Sequence, residues 1–271
     1  MAPDQSAGLA LKTAIKRDRR LKRLALLAVR WGRTLPAALP GWAWFWRDWR
    51  RFRKAGGRAS LLDTYPCLND RTAATAIDPH YFHQAIWAFK RIQSAGPRAH
   101  VDVGALVDFV GMLTAIADVT FVDIRPVSVE LERFTMLPGS ALDLPFADGA
   151  VHSLSCLHVL EHIGLGRYGD EIAPDGAERA CRELTRVLTP GGRLYLSTPI
   201  GRPRVCFNGL RVFAPGEPCA LLAPLALREF SMVDARGELR ESVHTDAEIR
   251  EEDSGSDHAL GLYVFEKEHA A

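Results

Sequence analysis

No run in the 271 residues reaches the ~18 consecutive apolar positions that a membrane-spanning helix needs. The apolar stretch Leu24–Val29 is too short for a secretory core, and no small-residue cleavage pattern follows it. A basic, acid-poor beginning leaves an organellar transit peptide open. Cysteine is sparse: Cys67, Cys156, Cys181, Cys206 and Cys219 are odd in number, and none stands in C-x-x-C spacing. That pattern argues against a disulfide frame and against a zinc site built from thiolates. Cys156 and Cys181 occupy apolar positions, where a free cysteine acts as a small core hydrophobe. Such usage fits a reducing cytoplasm. Long internal repeats are missing as well. Acid is scarce at one end only. Residues 1–60 carry 3 Asp/Glu against 15 Lys/Arg, whereas the other 211 carry 30 against 19. A net charge of +1 therefore conceals a basic arm and a mildly acidic body.

The 47% hydrophobic and 25% charged composition is that of a soluble globular protein with one good core and a small appendage. Leu11 to Arg33 reads as a basic helix with an apolar stripe through Leu21, Leu24, Ala25 and Ala28, ended by Pro36 and Pro40. Next, four of the six tryptophans (Trp42, Trp44, Trp46, Trp49) fall within eight residues, interleaved with arginine. Residues 11–54 thus suit an anionic membrane surface, with indole at headgroup level. They equally suit a helical arm packed on the body or on a second subunit. Nucleic acid is the poorer reading, because no recognisable binding module accompanies the basic stretch. Gly56-Gly57 suggests a linker. The expected organisation is an arm over 1–57, a helical lead-in over 58–97 and a main domain over 98–271.

In the lead-in, Asp78 is placed to cap a helix with Pro79 at its first turn, running to about Gln93. Phe82, Ile86, Phe89 and Trp87 would face inward. Then come strand Ala99–Val103, helix Leu106–Ile116, strand Val119–Asp123 and strand Phe134–Leu137. Val151–Leu157 reads as a buried strand and Pro174–Leu188 as a helix. Thr189-Pro190-Gly191-Gly192 is a break before strand Arg193–Pro199. Glu217–Arg228 is a candidate helix. Glu229–Val233 and Leu260–Glu266 read as strands around an acidic, mobile segment, Glu238–Asp257.

Strand, polar loop, helix and strand over 151–199 form one βαβ unit. Ligands of doubly wound sheets sit beyond the carboxyl ends of such strands, where His158, Glu161 and His162 lie. His158-x-x-Glu161-His162 matches an inverted zinc-protease motif, but that motif needs a helix carrying both histidines. Here His158 directly follows a strand, with Gly164 and Gly166 close behind. The bland reading is that Glu161 and His162 only cap and orient the loop. The active reading makes His158 or His162 a base, since an imidazole titrates near neutrality.

The order of parts resembles a class I S-adenosylmethionine-dependent methyltransferase. The matching pieces are Val101-Asp102-Val103-Gly104, Asp123, Leu144-Pro145-Phe146-Ala147-Asp148, Leu160-Glu161-His162 and Glu183–Gly192. The chain is also similar, over about residues 60 to 268, to the family known only as domain of unknown function 268. Asp78–Phe82, His100–Gly104, Val119–Pro126, Ser155–Asp170 and Arg204–Asn208 carry that likeness. The resemblance implies an α/β fold: a Rossmann-like doubly wound sheet of the class I methyltransferase type, with a C-terminal antiparallel hairpin, preceded by the basic helical arm. It implies S-adenosylmethionine as cofactor, held by Asp102 and Gly104, by Asp123 on the ribose, and by Ser140, Ala141 and Leu142 around the adenine. Leu106 and Asp108 stand where the usual pattern has further glycines. Ubiquinone-pathway O-methyltransferases hold a divalent ion on two acids and a histidine at the matching spacing. His158 replaces the first acid here, so a metal stays unknown.

These readings combine into an expected O-directed methyltransferase with His158, Glu161 and His162 as catalytic residues. Arg167, Arg204 and Asn208 would meet the acceptor, and the arginines at 202, 204 and 211 a phosphate or carboxylate. The acceptor would be a small molecule or lipid-linked saccharide at the cytoplasmic face of the membrane. The alternative is a non-catalytic binding or scaffold protein on a degenerate methyltransferase fold.

Overall fold

The structure is a computed structural model, and it describes residues 39–242 and 258–269. The expected basic helix over 11–33 and most of the acidic segment lie outside the described residues. The chain divides into two compact units, Met1–Ala76 and Ile77–Ala271.

Within the first unit, α1 (Leu39–Lys54) ends on Arg51, Arg53 and Lys54, cations that favour a helix C-terminus. Trp42 stacks on Trp46 with ring centroids 6.1 Å apart. Arg53 lies over Trp49 at 5.1 Å and Arg71 over Trp44 at 4.8 Å. Arg71 also pairs with Asp48 at 3.2 Å. Among the described residues no helix is long and apolar enough to cross a membrane.

The second unit opens with α2 (Pro79–Ala95). Asp78 caps it, accepting from the His80 and Tyr81 amides, and Gly96 closes it in the left-handed conformation. The buried face matches the expected one in part, with Trp87 buried and Phe89 packed against the core. Gln84, Trp87, Ala88 and Ile92 go inward, while Phe82 and Ile86 stay exposed. Both faces of this helix carry apolar residues, and the one with the indole and the small Ala88 wins the sheet.

The sheet then builds from β1 (Ala99–Val103), β2 (Asp118–Asp123), β3 (Phe134–Pro138), β4 (Val151–Leu157), β5 (Leu188–Ile200), β8 (Ala226–Val233), β9 (Leu239–Arg240) and β10 (Ala259–Glu266). Its order is β3-β2-β1-β4-β5-β10-β8-β9. The first five strands are parallel, and β10 runs antiparallel between β5 and β8. Two short strands, β6 (Arg204–Cys206) and β7 (Leu210–Val212), form a separate hairpin. The doubly wound sheet with its C-terminal antiparallel hairpin is the architecture expected from the sequence.

Both faces of the sheet are covered, as parallel strands require. On one face α4 (Gly176–Val187) buries Ala177, Ala180, Cys181, Leu184 and Val187. On the other lie α2 and α3 (Val107–Leu113), with Phe109, Val110 and Leu113 inward. Three local expectations are corrected. Thr189–Gly192 lie inside β5 as an irregularity, since Val151 pairs with Leu188 but Ser153 with Arg193. The helix after Glu217 is only α5 (Glu217–Leu221), because Ala226 already starts β8. Leu239 and Arg240, read as part of a mobile segment, pair with β8. The strand order reverses between β1 and β4, so the crevice at their carboxyl ends is where a ligand site belongs.

Candidate active site

Four strand ends meet at that crevice. After β1 the chain turns at Gly104, whose φ is +72°. Its amide donates to the Val122 carbonyl at 2.9 Å, and a Cβ there would stand 3.1 Å from Val159. Only glycine suits both the positive φ and the close approach. β2 ends on Asp123, whose Oδ1 accepts from the Arg125 amide at 2.7 Å. Beyond β3, Gly139 fits between Val122 and Pro145, and Ser140 Oγ accepts from the Leu142 amide at 3.1 Å. Directly after β4 comes His158, which takes a φ of +56°. Its amide is held by the Ser197 carbonyl at 3.1 Å and by Ser197 Oγ at 3.0 Å, and Ser197 Oγ in turn donates to Gln84 Oε1 at 2.6 Å. A positive φ in a residue with a side chain is a strain that persists only where surroundings impose it. The four loops border an open cleft.

A buried hydrogen-bonded chain underlies the first loop. His100 Nδ1 lies 2.7 Å from Ser153 Oγ and Nε2 lies 2.9 Å from Ser155 Oγ. Ser155 donates to Asp102 Oδ2, and Asp102 Oδ1 accepts from the Ala105 amide at 3.0 Å. With Ser155 donating to the carboxylate, its oxygen accepts from Nε2–H, and His100 Nδ1 accepts from Ser153. Burial pushes Asp102 up to about 7, against the Ser155 and Ala105 bonds that pull it down and with Asp123 adding to the rise. Burial alone pushes His100 down to about 3.

At the end of β4, Glu161 is wholly buried, and its Oε1 lies 2.7 Å from His158 Nδ1. A carboxylate can only accept, so Nδ1 carries the proton and Nε2 the lone pair. His158 Nε2 is buried with no hydrogen-bond partner. The His158 ring stacks on Tyr81 at 4.7 Å and lies 6.1 Å from His80. Burial, and then the neighbouring His158 and His258, push His80 down to about 4. His162 Nδ1 donates to the Gly209 carbonyl at 2.7 Å, and burial lowers its pKa. The pair resembles an oriented imidazole base: lone pair free, the other nitrogen fixed by a carboxylate.

The structure gathers Gly104, Asp123, Ser140, Ala141, Leu142, His158 and His162 around the cleft. Asp102 and Glu161 are buried behind its lining, one under each loop. Arg167 stands outside the lining, with Nη1 3.1 Å from the Gly209 carbonyl. Arg204 and Asn208 belong to the β6–β7 hairpin and its turn, also outside the lining, and Arg204 Nη1 donates to the Arg202 carbonyl at 3.1 Å. Arg211, expected to meet an anion, is instead buried and donates to the carbonyls of Ile163, Ala173 and Pro174. Leu106 is half-exposed and leaves the cleft open. Sequence reasoning missed Ile124, Arg125, Val159, Tyr168 and Asp170, all of which line the cleft. Their place in the stretches Val119–Pro126 and Ser155–Asp170, next to Asp123 and His162, was the signal that could have pointed to them. Among the described residues no group of three or more His, Cys, Asp or Glu side chains could hold a metal ion.

A family model described as a methyltransferase domain matches residues 101–196. Another, described as a Caenorhabditis protein of unknown function, DUF268, matches residues 149–251. No curated protein matches the chain. Among solved structures, one similar chain comes from the complex between the Haloferax volcanii Trm112 methyltransferase activator and a protein assigned as a methyltransferase. Identity is 17%, over 71% of this chain and 91% of that one, with a TM-score of 0.50. Another is a protein from Galdieria sulphuraria assigned as a sarcosine dimethylglycine methyltransferase. Identity there is 14%, over 82% of this chain and 98% of that one, with a TM-score of 0.50. At these identities the likeness establishes the fold, which is that of the class I methyltransferases.

The buried chain generates a pH signature. The folded protein holds the Asp102 proton up to about 7 rather than 3.8, so the stability this proton contributes is lost as pH rises between those values. His100 works in reverse: its contribution is complete above 6.5 and is lost as pH falls toward about 3. Between those limits the two slopes oppose each other. Asp102→Asn removes the first and keeps the second. The variant's unfolding free energy should climb with pH more steeply than the wild type's, by ~1 kcal/mol per pH unit, across that shared window. Denaturant titrations at several pH values measure it, and parallel slopes in the two proteins would contradict the assignment.

Proposed function

We propose that this protein is an S-adenosylmethionine-dependent methyltransferase directed at a hydroxyl group. The observation that carries the reading is the cleft itself, on a class I methyltransferase fold. A glycine turn that tolerates close approach, an acid at the end of β2 and the Ser140–Leu142 loop border one space, with His158 at its edge. These residues fit the cofactor. Gly104 would let the backbone approach, Asp123 would accept the ribose hydroxyls, and Ile124 and Leu142 would flank the adenine. The cofactor supplies an electrophilic methyl group on a sulfonium, so the protein's task is to bind, orient and deprotonate. His158 Nε2, unpartnered and holding the lone pair, takes the proton of the acceptor hydroxyl. Glu161 fixes the ring and stabilises the imidazolium that forms. Tyr81, stacked on the ring, keeps it in place. His162, tied to the Gly209 carbonyl, orients the neighbouring loop.

The acceptor we favour is a saccharide or lipid-linked intermediate at the cytoplasmic face of the membrane, with the protein bound there peripherally. Support comes from α1, whose Arg50, Arg51, Arg53 and Lys54 are exposed beside four indoles. Such a surface attracts anionic headgroups. The domain organisation we favour keeps residues 1–57 as this arm.

Two measurements test the reading. Calorimetric titration with S-adenosylhomocysteine should show binding, weakened by about tenfold or more in Asp123→Ala, since a hydrogen bond to a charged acceptor contributes roughly 1.5–3 kcal/mol. No heat at millimolar ligand would favour the alternative, a non-catalytic scaffold on the same fold. For the arm, the full chain should sediment with vesicles containing phosphatidylglycerol. Reversing Arg50, Arg51 and Arg53 to Glu should leave it in the supernatant. Equal sedimentation of the two proteins would remove the membrane from the proposal.

A further inference from the structure

Beside the His158 base, two guanidinium groups converge on one tyrosine. The Arg125 Cζ lies 4.1 Å from the centre of the Tyr168 ring, and the Arg167 Cζ lies 5.1 Å from it. The two positive charges therefore stand within about 9 Å of each other, on segments that come from different strand ends. Arg125 follows β2, and Arg167 follows β4. The Tyr168 ring also meets His162 edge-on, with centroids 5.8 Å apart. The stack thus adjoins the loop that holds the base. Tyr81, whose ring lies on His158, is within electrostatic reach of both Tyr168 and Arg167.

Each guanidinium is attracted by the ring face, and of the two only Arg125 has a carboxylate partner among the described residues. Asp170 turns its carboxylate to the backbone, with Oδ2 accepting from the Gly164 and Gly166 amides at 3.0 and 3.3 Å and Oδ1 from Tyr168 at 3.1 Å. Asp123 Oδ1 pairs with Arg125 Nε at 3.5 Å and accepts the Arg125 amide, which anchors Arg125 through Nε and leaves its terminal N–H groups for a ligand. Arg167 makes no ion pair among the described residues. Its Nη1 meets only the Gly209 carbonyl and the His162 ring, leaving other N–H groups of the fork for a ligand. A guanidinium already held beside an aromatic ring loses less freedom when it grips two oxygens of one anion.

We propose that Arg167 and Arg125, held on Tyr168, form an anion-binding subsite for the acceptor. The acceptor then carries a phosphate or a carboxylate in addition to the hydroxyl presented to His158. This inference rests on the methyltransferase reading and narrows it to acidic or phosphorylated acceptors. Arg125 and Tyr168 become specificity residues that the methyltransferase motifs do not contain.

Methyl phosphate and acetate serve as probes, titrated into the full chain at constant ionic strength and followed by calorimetry. At least one should bind saturably. The tighter of the two identifies the source of the charge, phosphoryl or carboxyl. Arg167→Gln and Arg125→Gln should each weaken it by about tenfold or more, with Arg167→Lys intermediate because the ammonium keeps charge but not the fork. Thermal melts of each variant, at the wild-type midpoint, would show that the loss is local. Absence of saturable binding of both probes, or binding that survives both Gln substitutions, overturns the subsite. S-adenosylhomocysteine titrated in parallel separates the two claims. Its binding without anion binding refutes only the subsite. Arginine-dependent anion binding without it keeps the subsite and refutes the methyltransferase reading.

Discussion

The contact between β1 and β4 is the constraint on which the site depends. These two strands flank the reversal in sheet order, and they are joined by more than backbone pairing. Ser153, His100, Ser155 and Asp102 make a continuous hydrogen-bonded chain in which no residue is more than 3% exposed. Four polar side chains in the centre of a sheet are expensive unless each finds its partners, and here each does. The last link leaves the strands and holds the Ala105 amide, next to the Gly104 turn. The floor of the cleft is therefore positioned by side chains that never reach its surface. Asp102, which the motif pattern presents as a cofactor residue, sits in that role of support.

The second loop is held in an analogous way from two directions. From below, Glu161 fixes the His158 ring. From the side, the N-terminus of α2 lays Tyr81 over it, and the Gln84–Ser197 hydrogen bond ties the same helix to the end of β5. The Asp78 cap decides where α2 begins, so it also decides where His80 and Tyr81 stand. A strained backbone at His158, hydrogen bonds to Ser197 on its amide and an aromatic lid on its ring leave the imidazole little freedom. In the proposed reaction, an imidazole with a free lone pair and a fixed orientation would be pre-organised for proton removal.

Much of the fold was legible because strand and helix signals are local. Val151–Leu157 was readable from an apolar run, Asp78 and Pro79 from cap chemistry, and the parallel order from the alternation of strands with helices. What escaped the sequence depended on partners distant in the chain. Which face of α2 goes inward is settled by the sheet it meets, not by the helix. Thr189–Gly192 carries every sign of a turn, yet the neighbouring strand draws it into β5 as an irregularity. In the site, Gly104, Asp123 and His158 stood out because they occupy strand ends. Arg125 and Tyr168 did not, since their meeting joins two loops more than forty positions apart. Arg211 looked like a surface cation in a loop rich in arginine, and only its three carbonyl partners reveal it as a clamp.

In the proposed function the cleft between the ends of β1, β2 and β4 holds the cofactor with its reactive end toward His158. A crystal structure of the complex with S-adenosylhomocysteine tests this most directly. Both ribose hydroxyls should lie at hydrogen-bond distance from Asp123, ~2.6–3.2 Å, with the sulfur turned toward the side of the cleft lined by His158. Adenosine bound elsewhere on the sheet, or a sulfur directed away from His158, would contradict it.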